Sequence, residues 1–316
     1  MSEKLYDVMI LGGGPAGLSA AIYAGRSGRS VLLVEGGPWG GQISQTAEID
    51  NYPGGIKGES GLEFSERLSG QARSFGCEMA TDRITGVDIG GEAKELAGAS
   101  ETYKGKTLII ATGNVPRKLG APGEEEFTGR GVSYCATCDA PFFTGLEVYV
   151  AGGGDSAVEE ALYLAKFARK VTIIHRRDQL RAAKSIQEKA AKAPNVGLLL
   201  DTVVAEIKGE GLLTSLVVEN TKTGERKELF AENSGENIGL FVFTGHVPSS
   251  GLFLDLLDTE GGFIVTDEDM STGAPGVFAA GDVRKKALRQ VVTAAADGAV
   301  AAYQADRYLD GLPSHG

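Results

Sequence analysis

The most constraining feature of this 316-residue sequence is a glycine-rich turn that occurs twice, each time between a short apolar segment and a segment with helical spacing. In the first copy, residues 12–17 follow the apolar run 6–11, and a second apolar run at 31–35 comes after the helix. The second copy repeats this layout around residues 152–157. A strand, a glycine turn, a helix and a second strand make a βαβ unit, so the doubled pattern predicts an α/β chain with two parallel-sheet domains.

Glycines in such a turn have distinct physical tasks. The first allows a tight turn, the second lets a pyrophosphate approach the backbone, and the third position must be small so that helix and strand pack, with the helix N-terminus facing the anion. The alternative is a pair of purely structural βαβ turns. The residues predicted to hold two dinucleotides are Gly12, Gly14, Pro15, Ala16 and Gly17 in the first turn and Gly152, Gly154, Asp155, Ser156 and Ala157 in the second.

The end of the second strand of each copy indicates which nucleotide binds. Glu35 lies 18 residues after Gly17, where a carboxylate accepts hydrogen bonds from both ribose hydroxyls, as FAD or NAD requires. The second copy has a basic segment there instead, and guanidinium groups bind a 2′-phosphate through forked hydrogen bonds, so this site is expected to prefer NADPH over NADH. The alternative is a solvated basic start of a helix. The segment consists of His175, Arg176, Arg177 and Arg181.

A second repeat marks the end of each copy. Residues 108–116 resemble residues 240–248, because in each segment a buried strand leads into Thr-Gly and then Val-Pro. Proline keeps the preceding residue out of the helical region, so both segments are predicted to be ordered linkers between domains. Residues 198–230, and residues 84–103 in the first copy, are predicted to form β-meanders. The alanine-rich helix predicted at about 290–309 has no counterpart in the second copy.

The chemistry of the second copy centres on a Cys-x-x-Cys segment just before its first strand, formed by Cys135 and Cys138. Two thiols at this spacing can close a small disulfide, or they can supply half of a zinc site, although too few other ligands are present to complete one and no metal is predicted. The adjacent Asp139 can relay a proton as a general acid or simply cap a helix. Cys77 is interpreted as a small buried residue without a redox role.

Composition excludes several classes of function. Thirty-one Lys and Arg residues against 42 Asp and Glu residues give a net charge of −11, which disfavours binding to nucleic acid or to an anionic membrane. Three cysteines are too few for a disulfide-stapled secreted scaffold. No apolar run approaches the length of a membrane helix and no signal peptide is visible, so a cytoplasmic protein is expected.

Together these motifs resemble the low-molecular-weight thioredoxin reductases of the bacterial type, in the FAD-dependent pyridine nucleotide-disulfide oxidoreductases. The resemblance covers essentially the full length. It implies two Rossmann-like, three-layer domains, each with a parallel sheet and a β-meander: an FAD domain at 1–115 and 248–316, and an inserted NADPH domain at 116–247 that carries the cysteine pair. Further FAD contacts implied by the resemblance are Gly41, Gln42, Asn51, Ala111, Thr112, Gly113, Gly281, Asp282, Arg289 and Gln290.

The resemblance also implies a homodimer in which electrons pass from NADPH to FAD, then to the cysteine pair and finally to oxidised thioredoxin. Cys138 would face the flavin, Cys135 would attack the thioredoxin disulfide, and Asp139 would supply the proton. Residues 114–117 and 244–248 match the hinges about which the family's inserted domain rotates.

The surface that would meet thioredoxin is less clearly marked. Arg130 and Phe142 match positions that contact thioredoxin in the family, while Phe142 and Phe143 could equally belong to the core. The family usually has glycine after the aspartate, whereas this chain has Ala140-Pro141, and proline there limits the helix to about one turn.

Three other interpretations remain open at this point. The chain could take electrons from ferredoxin, although such relatives lack the intact second glycine turn and its arginines. It could serve another thioredoxin-like carrier. It could also be a non-catalytic flavin-binding scaffold or redox sensor with a regulatory cysteine pair.

Overall fold

The computed structural model describes residues 4–46, 48–49 and 51–312. Residues 1–115 and 247–316 form one compact unit, and residues 116–246 form a second. The strands are β1 (Leu5–Leu11), β2 (Val31–Glu35), β3 (Glu78–Thr81), β4 (Ile84–Asp88), β5 (Lys94–Gly98), β6 (Thr102–Ile110), β7 (Asn114–Pro116), β8 (Val132–Ser133), β9 (Glu147–Gly152), β10 (Lys170–Ile174), β11 (Val196–Leu199), β12 (Thr202–Glu210), β13 (Leu212–Asn220), β14 (Arg226–Phe230), β15 (Ile238–Phe243), β16 (His246–Pro248), β17 (Thr259–Glu260), β18 (Phe263–Ile264) and β19 (Val277–Ala279). The α-helices are α1 (Pro15–Arg26), α2 (Gly61–Ser74), α3 (Glu124–Phe127), α4 (Ala136–Asp139), α5 (Asp155–Leu164), α6 (Lys184–Lys192) and α7 (Val291–Asp310).

The first unit is built on one mixed sheet. Strands β3, β2, β1 and β6 lie side by side and parallel. The long strand β6 is then shared on its other edge: its first half pairs antiparallel with β5 of the meander, and its second half pairs parallel with β19. Strand β19 comes from the part of the chain after the inserted unit, so the last third of the sequence completes the first sheet.

Alternating side chains give the first unit a core on each face of its sheet. Val8 and Ile10 of β1 pack with helices α1, α2 and α7. Met9 and Leu11 face the opposite side of the sheet and pack with apolar residues of the meander strands β4, β5 and β6. Successive residues of a strand point to opposite faces, so an uninterrupted apolar run is what a strand buried on both faces requires. The unit is therefore three layers deep, as predicted.

The second unit repeats this architecture. Its sheet has the order β11-β10-β9-β15-β8, and all of these strands are parallel. A separate antiparallel sheet, β12-β13-β14, covers one face, and α5 and α6 pack on the other. The predicted α/β fold class is confirmed. The meander starts later than predicted, at Thr202, because residues 198–199 extend the parallel strand β11.

The two repeated linker segments pair with each other, β7 with β16, as a two-stranded sheet. Two further hydrogen bonds join the residues next to these strands: the Arg117 amide donates to the Gly245 carbonyl (2.9 Å), and the Thr244 hydroxyl donates to the Arg117 carbonyl (2.6 Å). Both segments are thus ordered, as the proline argument predicted.

Candidate functional site

The first glycine turn leads directly from β1 into α1. Gly12 has a φ of 113°, and a Cβ there would lie 2.3 Å from the Ala111 carbonyl oxygen. A Cβ on Gly17 would lie 1.8 Å from the Gly12 carbonyl oxygen, so both positions exclude a side chain. A Cβ on Gly14, by contrast, would meet nothing closer than 3.8 Å. The turn is thus tight where strand and helix pack and open where a pyrophosphate would approach the start of α1, which fits a dinucleotide.

Glu35 ends β2 beside this turn. Its carboxylate accepts the amide of Gly13 (2.6 Å) and the amide of Gly37 (2.7 Å). Each carboxylate oxygen has two lone pairs, so both retain capacity for a ribose hydroxyl. The carboxyl group therefore lies beside the turn with acceptor capacity to spare.

Other residues predicted for the first site are held in place by contacts between segments distant in sequence. The Gly40 amide donates to the Gly13 carbonyl (2.9 Å), which brings Gly41 against the turn, and the Gln42 side chain donates to the side-chain oxygen of Asn114 (3.1 Å). Asn51 donates to the side-chain oxygen of Gln290 (3.0 Å). The segment from Ala111 to Gly113 is held by the returning chain, because the Thr112 hydroxyl donates to the Ser249 carbonyl (2.7 Å) and the Ser249 amide donates to the Gly113 carbonyl (3.0 Å).

The segment that follows β19 supplies three side chains with buried, unsatisfied atoms, those of Asp282, Arg284 and Arg289. Within the described residues, Asp282 Oδ1 and Arg289 Nε are buried without a hydrogen-bond partner. Burial raises the pKa of the Asp282 carboxyl, against the opposing charges of Lys286 and Arg289. Native structures rarely leave buried polar atoms unpaired, so the two atoms fit a site that is completed by a polar ligand such as the ribityl chain of a flavin.

The second glycine turn leads from β9 into α5 and is tied to the basic segment. The Gly153 carbonyl accepts the amides of Arg181 (2.6 Å) and Ala182 (3.1 Å), and the Asp155 carboxylate accepts the amide of Ala183 (2.7 Å). A Cβ on Gly154 would meet nothing within 4 Å. This turn is therefore open for a ligand, and the Asp155 carboxylate positions the arginine segment.

The basic segment divides into one buried and three exposed residues. His175 is only 5% exposed, and a Cβ on Gly153 would lie 2.2 Å from its Nδ1 atom, so the ring lies directly behind the turn. Burial, together with the nearby Arg181 and Arg177, lowers the pKa of the ring. Arg176, Arg177 and Arg181 are exposed, and their guanidinium groups make no ion pair or side-chain hydrogen bond with any described residue. The three arginines are thus free to bind an anion, while the buried imidazole packs behind the turn.

The cysteine pair forms a disulfide, with its Cα atoms 5.4 Å apart. Cys135 is the N-cap of the one-turn helix α4, and its sulfur accepts the backbone amide of Cys138 (3.2 Å). The Thr137 hydroxyl lies 3.4 Å from the same sulfur. An N–H group directed at a sulfur favours its thiolate, so in the reduced state these contacts would favour a nucleophilic Cys135.

Asp139 lies on α4 next to the disulfide, and burial raises the pKa of its carboxyl. Ser133, at the end of β8, donates a hydrogen bond to Asp139 Oδ2 (2.6 Å) and accepts one from the Cys135 amide (3.1 Å). The bond to the carboxylate opposes the effect of burial on the pKa. Ser133 was missed by the sequence analysis, because nothing local distinguishes it from other serines.

The residues after the disulfide offer one exposed ring. Phe142 is 57% exposed, whereas Phe143 packs edge-on against Phe241 with ring centroids 5.0 Å apart. Arg130 is also exposed. As the proline predicted, α4 ends after one turn and a 3₁₀ turn, Ala140–Phe143, follows. Of the two phenylalanines, therefore, Phe142 exposes its ring to solvent and Phe143 packs against the core.

Other sequence predictions concern residues outside these sites. Cys77 is buried, and burial raises the pKa of its thiol to about 12, which makes it a poor nucleophile. Within residues 4–46, 48–49 and 51–312, no group of three or more His, Cys, Asp or Glu side chains is placed to hold a metal ion. In the same residues, every helix is too short or too polar to cross a membrane.

Comparisons with known proteins agree with this geometry. A family model described as pyridine nucleotide-disulphide oxidoreductase matches residues 6–298. The chain is 52% identical to the thioredoxin reductase of Peptoclostridium acidaminophilum over 309 residues, covering 98% of both proteins. It is 52% identical to that of Peptoclostridium litorale over 311 residues, covering 98% of this chain and 99% of the relative. The crystal structure of thioredoxin reductase from Streptococcus pyogenes MGAS5005 is 43% identical, with a TM-score of 0.91 over 98% of this chain and 100% of that one.

Proposed function

Since the chain belongs to the thioredoxin reductases of the pyridine nucleotide-disulphide oxidoreductase family, we propose that it reduces the disulfide of a thioredoxin with electrons from NADPH. The family resemblance predicted from the motifs is confirmed. The enzyme is an oxidoreductase that uses a flavin and a nicotinamide nucleotide. The observation that carries the proposal is the disulfide of Cys135 and Cys138, whose Cys135 sulfur accepts a backbone amide and which adjoins the partly buried Asp139.

The first unit is proposed to hold FAD. The open position at Gly14, the carboxylate of Glu35 and the unpaired atoms of Asp282 and Arg289 support this assignment. When bound, the flavin accepts two electrons from the nicotinamide and delivers them to the disulfide. Glu35 would bind the adenosine ribose, and Asp282 would bind the ribityl chain. Gly12, Pro15, Ala16, Gly17, Gly41, Gln42, Asn51, Ala111, Thr112, Gly113, Gly281 and Gln290 would complete the site.

The second unit is proposed to hold NADPH. Arg176, Arg177 and Arg181 carry three unpaired positive charges beside the turn, which suits a 2′-phosphate and gives no advantage to NADH. His175 supports the turn from behind, and Asp155 fixes the segment that bears the arginines. Gly152, Gly154, Ser156 and Ala157 would cradle the pyrophosphate.

The reduced cysteine pair then transfers two electrons to thioredoxin. The Cys135 thiolate attacks one sulfur of the thioredoxin disulfide, which breaks that S–S bond, forms a mixed disulfide and releases one thioredoxin thiolate. Asp139 donates a proton to a leaving thiolate. Cys138 attacks the Cys135 sulfur, which re-forms the pair's disulfide and releases the second thiolate of thioredoxin. Two electrons leave the enzyme with reduced thioredoxin, whose two thiols take one proton from Asp139 and the other from the Cys138 thiol.

Thioredoxin would dock beside the exposed Phe142 and Arg130. We also propose a homodimer and a cytoplasmic location, as the family resemblance implies. Tyr23 on α1 and Phe75 at the end of the contacting helix α2 are 48% and 38% exposed, so both rings are available to a second copy. A ferredoxin donor is not favoured, since the second glycine turn and its arginines are intact, and another carrier is not favoured by the names of the relatives.

Single-cysteine variants test the dithiol steps. The variant Cys138→Ser should trap a mixed disulfide between Cys135 and thioredoxin, because the resolving thiol is missing. Cys135→Ser should trap none, and both variants should lose turnover. Cys77→Ser is the matched control and should keep its activity, because Cys77 is buried away from the pair. Mixed disulfides are detected by mass spectrometry without reductant. Full turnover in either active-pair variant would instead support the regulatory-sensor interpretation.

A further inference from the structure

A buried ion cluster lies beside the proposed flavin site in the first unit. Asp297, on α7, is 12% exposed, and its carboxylate contacts three polar groups. The Lys286 ammonium (2.7 Å) and the Gly281 amide (3.0 Å) donate hydrogen bonds to it, and the Arg284 guanidinium forms an ion pair with it (3.2 Å). The side chains of Arg284 and Lys286 are themselves only 13% and 9% exposed. One carboxylate thus neutralises two buried cations and also holds a backbone amide.

All three groups come from one short segment, residues 281–286, within the connection between β19 and α7. This segment contains Asp282, whose buried Oδ1 atom has no partner among the described residues. The Lys286 ammonium interacts with both carboxyl groups. It forms an ion pair with Asp297, and its positive charge lowers the pKa of Asp282 against the effect of burial. Asp297 therefore fixes the residues on either side of the group that would contact the flavin.

The cluster also lies where this segment meets the first glycine turn. A Cβ on Gly281 would lie 2.8 Å from the Cβ of Ala16, the second residue of α1. On α7, a Cβ on Gly298 would lie 2.0 Å from the Ala16 carbonyl oxygen, and the Ser19 hydroxyl donates to the Ala295 carbonyl (2.7 Å). Helix α7 is thus packed closely on α1, and Asp297 ties the Gly281–Asp282 backbone to this rigid pair of helices.

We propose that Asp297 is a positioning residue for flavin binding: its carboxylate holds the Gly281 amide and the Lys286 ammonium, and thereby keeps Asp282 in place for the ligand. The inference rests on the proposed function, in which Asp282 contacts FAD. Asp297 itself touches only groups of the protein. Its loss would release residues 281–286 and remove the ion-pair partner of two buried cations, so the site would no longer be preorganised.

Asp7 provides a matched control in the same unit. Its carboxylate also accepts a backbone amide, that of Ser30 (3.0 Å), and a lysine ammonium, that of Lys106 (2.8 Å). Asp7 lies at the N-terminal end of β1, however, whereas the glycine turn follows the C-terminal end of that strand. Its removal should affect stability without affecting the flavin site.

The test is the affinity of the apoprotein of each full-length variant for FAD, measured by fluorescence titration, together with urea unfolding of the apoprotein. Asp297→Ala should weaken FAD binding at least tenfold, as the loss of charge-assisted hydrogen bonds implies. Asp7→Ala should bind FAD within about threefold of the parent. Unchanged affinity in Asp297→Ala, or an equal loss in Asp7→Ala, would overturn the proposal. Asp282→Ala distinguishes the proposed FAD contact of Asp282 from the proposed positioning role of Asp297. If Asp282→Ala binds FAD with parent-like affinity, the proposed contact is wrong. If Asp282→Ala loses affinity and Asp297→Ala does not, only the positioning role is wrong.

A second variant keeps the test open if Asp297→Ala does not fold. Asp297→Asn retains an oxygen for the Gly281 amide but removes the negative charge. It should weaken FAD binding about threefold, less than the alanine variant, and it should speed amide hydrogen exchange in residues 281–286 of the apoprotein. Parent-like exchange and parent-like FAD affinity in Asp297→Asn would contradict the positioning role.

Discussion

Replacement of Ser133 by alanine should raise the pKa of the Asp139 carboxyl. Ser133 donates a 2.6 Å hydrogen bond to the charged form of a partly buried carboxylate. Such charge-assisted bonds contribute about 1.5–3 kcal/mol. One pKa unit corresponds to about 1.4 kcal/mol, so the loss of the bond should raise the pKa by about one to two units.

The direction of the shift in the pH profile distinguishes the loss of this hydrogen bond from a general loss of activity. A proton donor works only while it is protonated, so the decline of thioredoxin reduction at rising pH should move to higher pH in Ser133→Ala. Stability should respond as well, because the native carboxyl of the variant holds its proton more tightly than that of the parent, while the unfolded carboxyl is the same in both. The variant should therefore be less stable than the parent at pH 7, and the pH-dependent part of this difference should vanish below the unfolded pKa of about 3.9.

The assays are the pH dependence of turnover and urea unfolding of the oxidised enzyme at several pH values. Ser133→Thr keeps the hydroxyl and should follow the parent. In an Asp139→Asn background, Ser133→Ala should cause no further shift of the pH profile, since the titrating group is gone. A shift to lower pH, or the same shift without Asp139, would refute the reasoning.

Three further predictions concern other parts of the proposed sites. Arg177→Met and Arg181→Met should each weaken binding of 2′,5′-ADP about tenfold and leave 5′-AMP unchanged in calorimetric titrations, and equal losses for both ligands would contradict a 2′-phosphate role. Phe142→Ala should raise the KM for thioredoxin several-fold at parent-like stability, whereas Phe143→Ala should lower the free energy of unfolding by about 2–4 kcal/mol, and the opposite pattern would exchange their roles. Asp282→Ala should purify with less flavin, as measured by absorbance, and full retention would contradict its assignment.

The fold could be predicted in detail where its signals are local. The strands β1, β2, β9 and β10 were correctly located because an apolar run next to a glycine turn permits few other structures. The edges of the sheets were harder to predict. Nothing in residues 196–199 indicates that they extend a parallel sheet, and the sharing of β6 between β5 and β19 depends on chain segments far apart in sequence.

For the candidate sites, too, residues with a local sequence signal could be predicted, and residues defined by tertiary contacts could not. The cysteine pair, the glycine turns and the arginines are recognisable from residue type and spacing. Ser133 and Asp297 are not, because their roles come from hydrogen bonds to residues that only the fold brings close. The burial of individual side chains could not be predicted either. Arg176 is exposed while the preceding His175 lies behind the turn, and Phe142 is exposed while Phe143 packs against the core. Residue type alone does not indicate which of two adjacent side chains of similar character is buried.

The central claim is a path of electrons from NADPH through a flavin and the Cys135–Cys138 pair to thioredoxin. The most direct test is an anaerobic titration of the purified protein with NADPH and, separately, with NADH, followed by addition of oxidised thioredoxin, with flavin absorbance as the readout. The account predicts bleaching at far lower concentrations of NADPH than of NADH, and recovery of the absorbance on adding thioredoxin. Failure of NADPH to bleach the flavin, or bleaching without recovery, would contradict it.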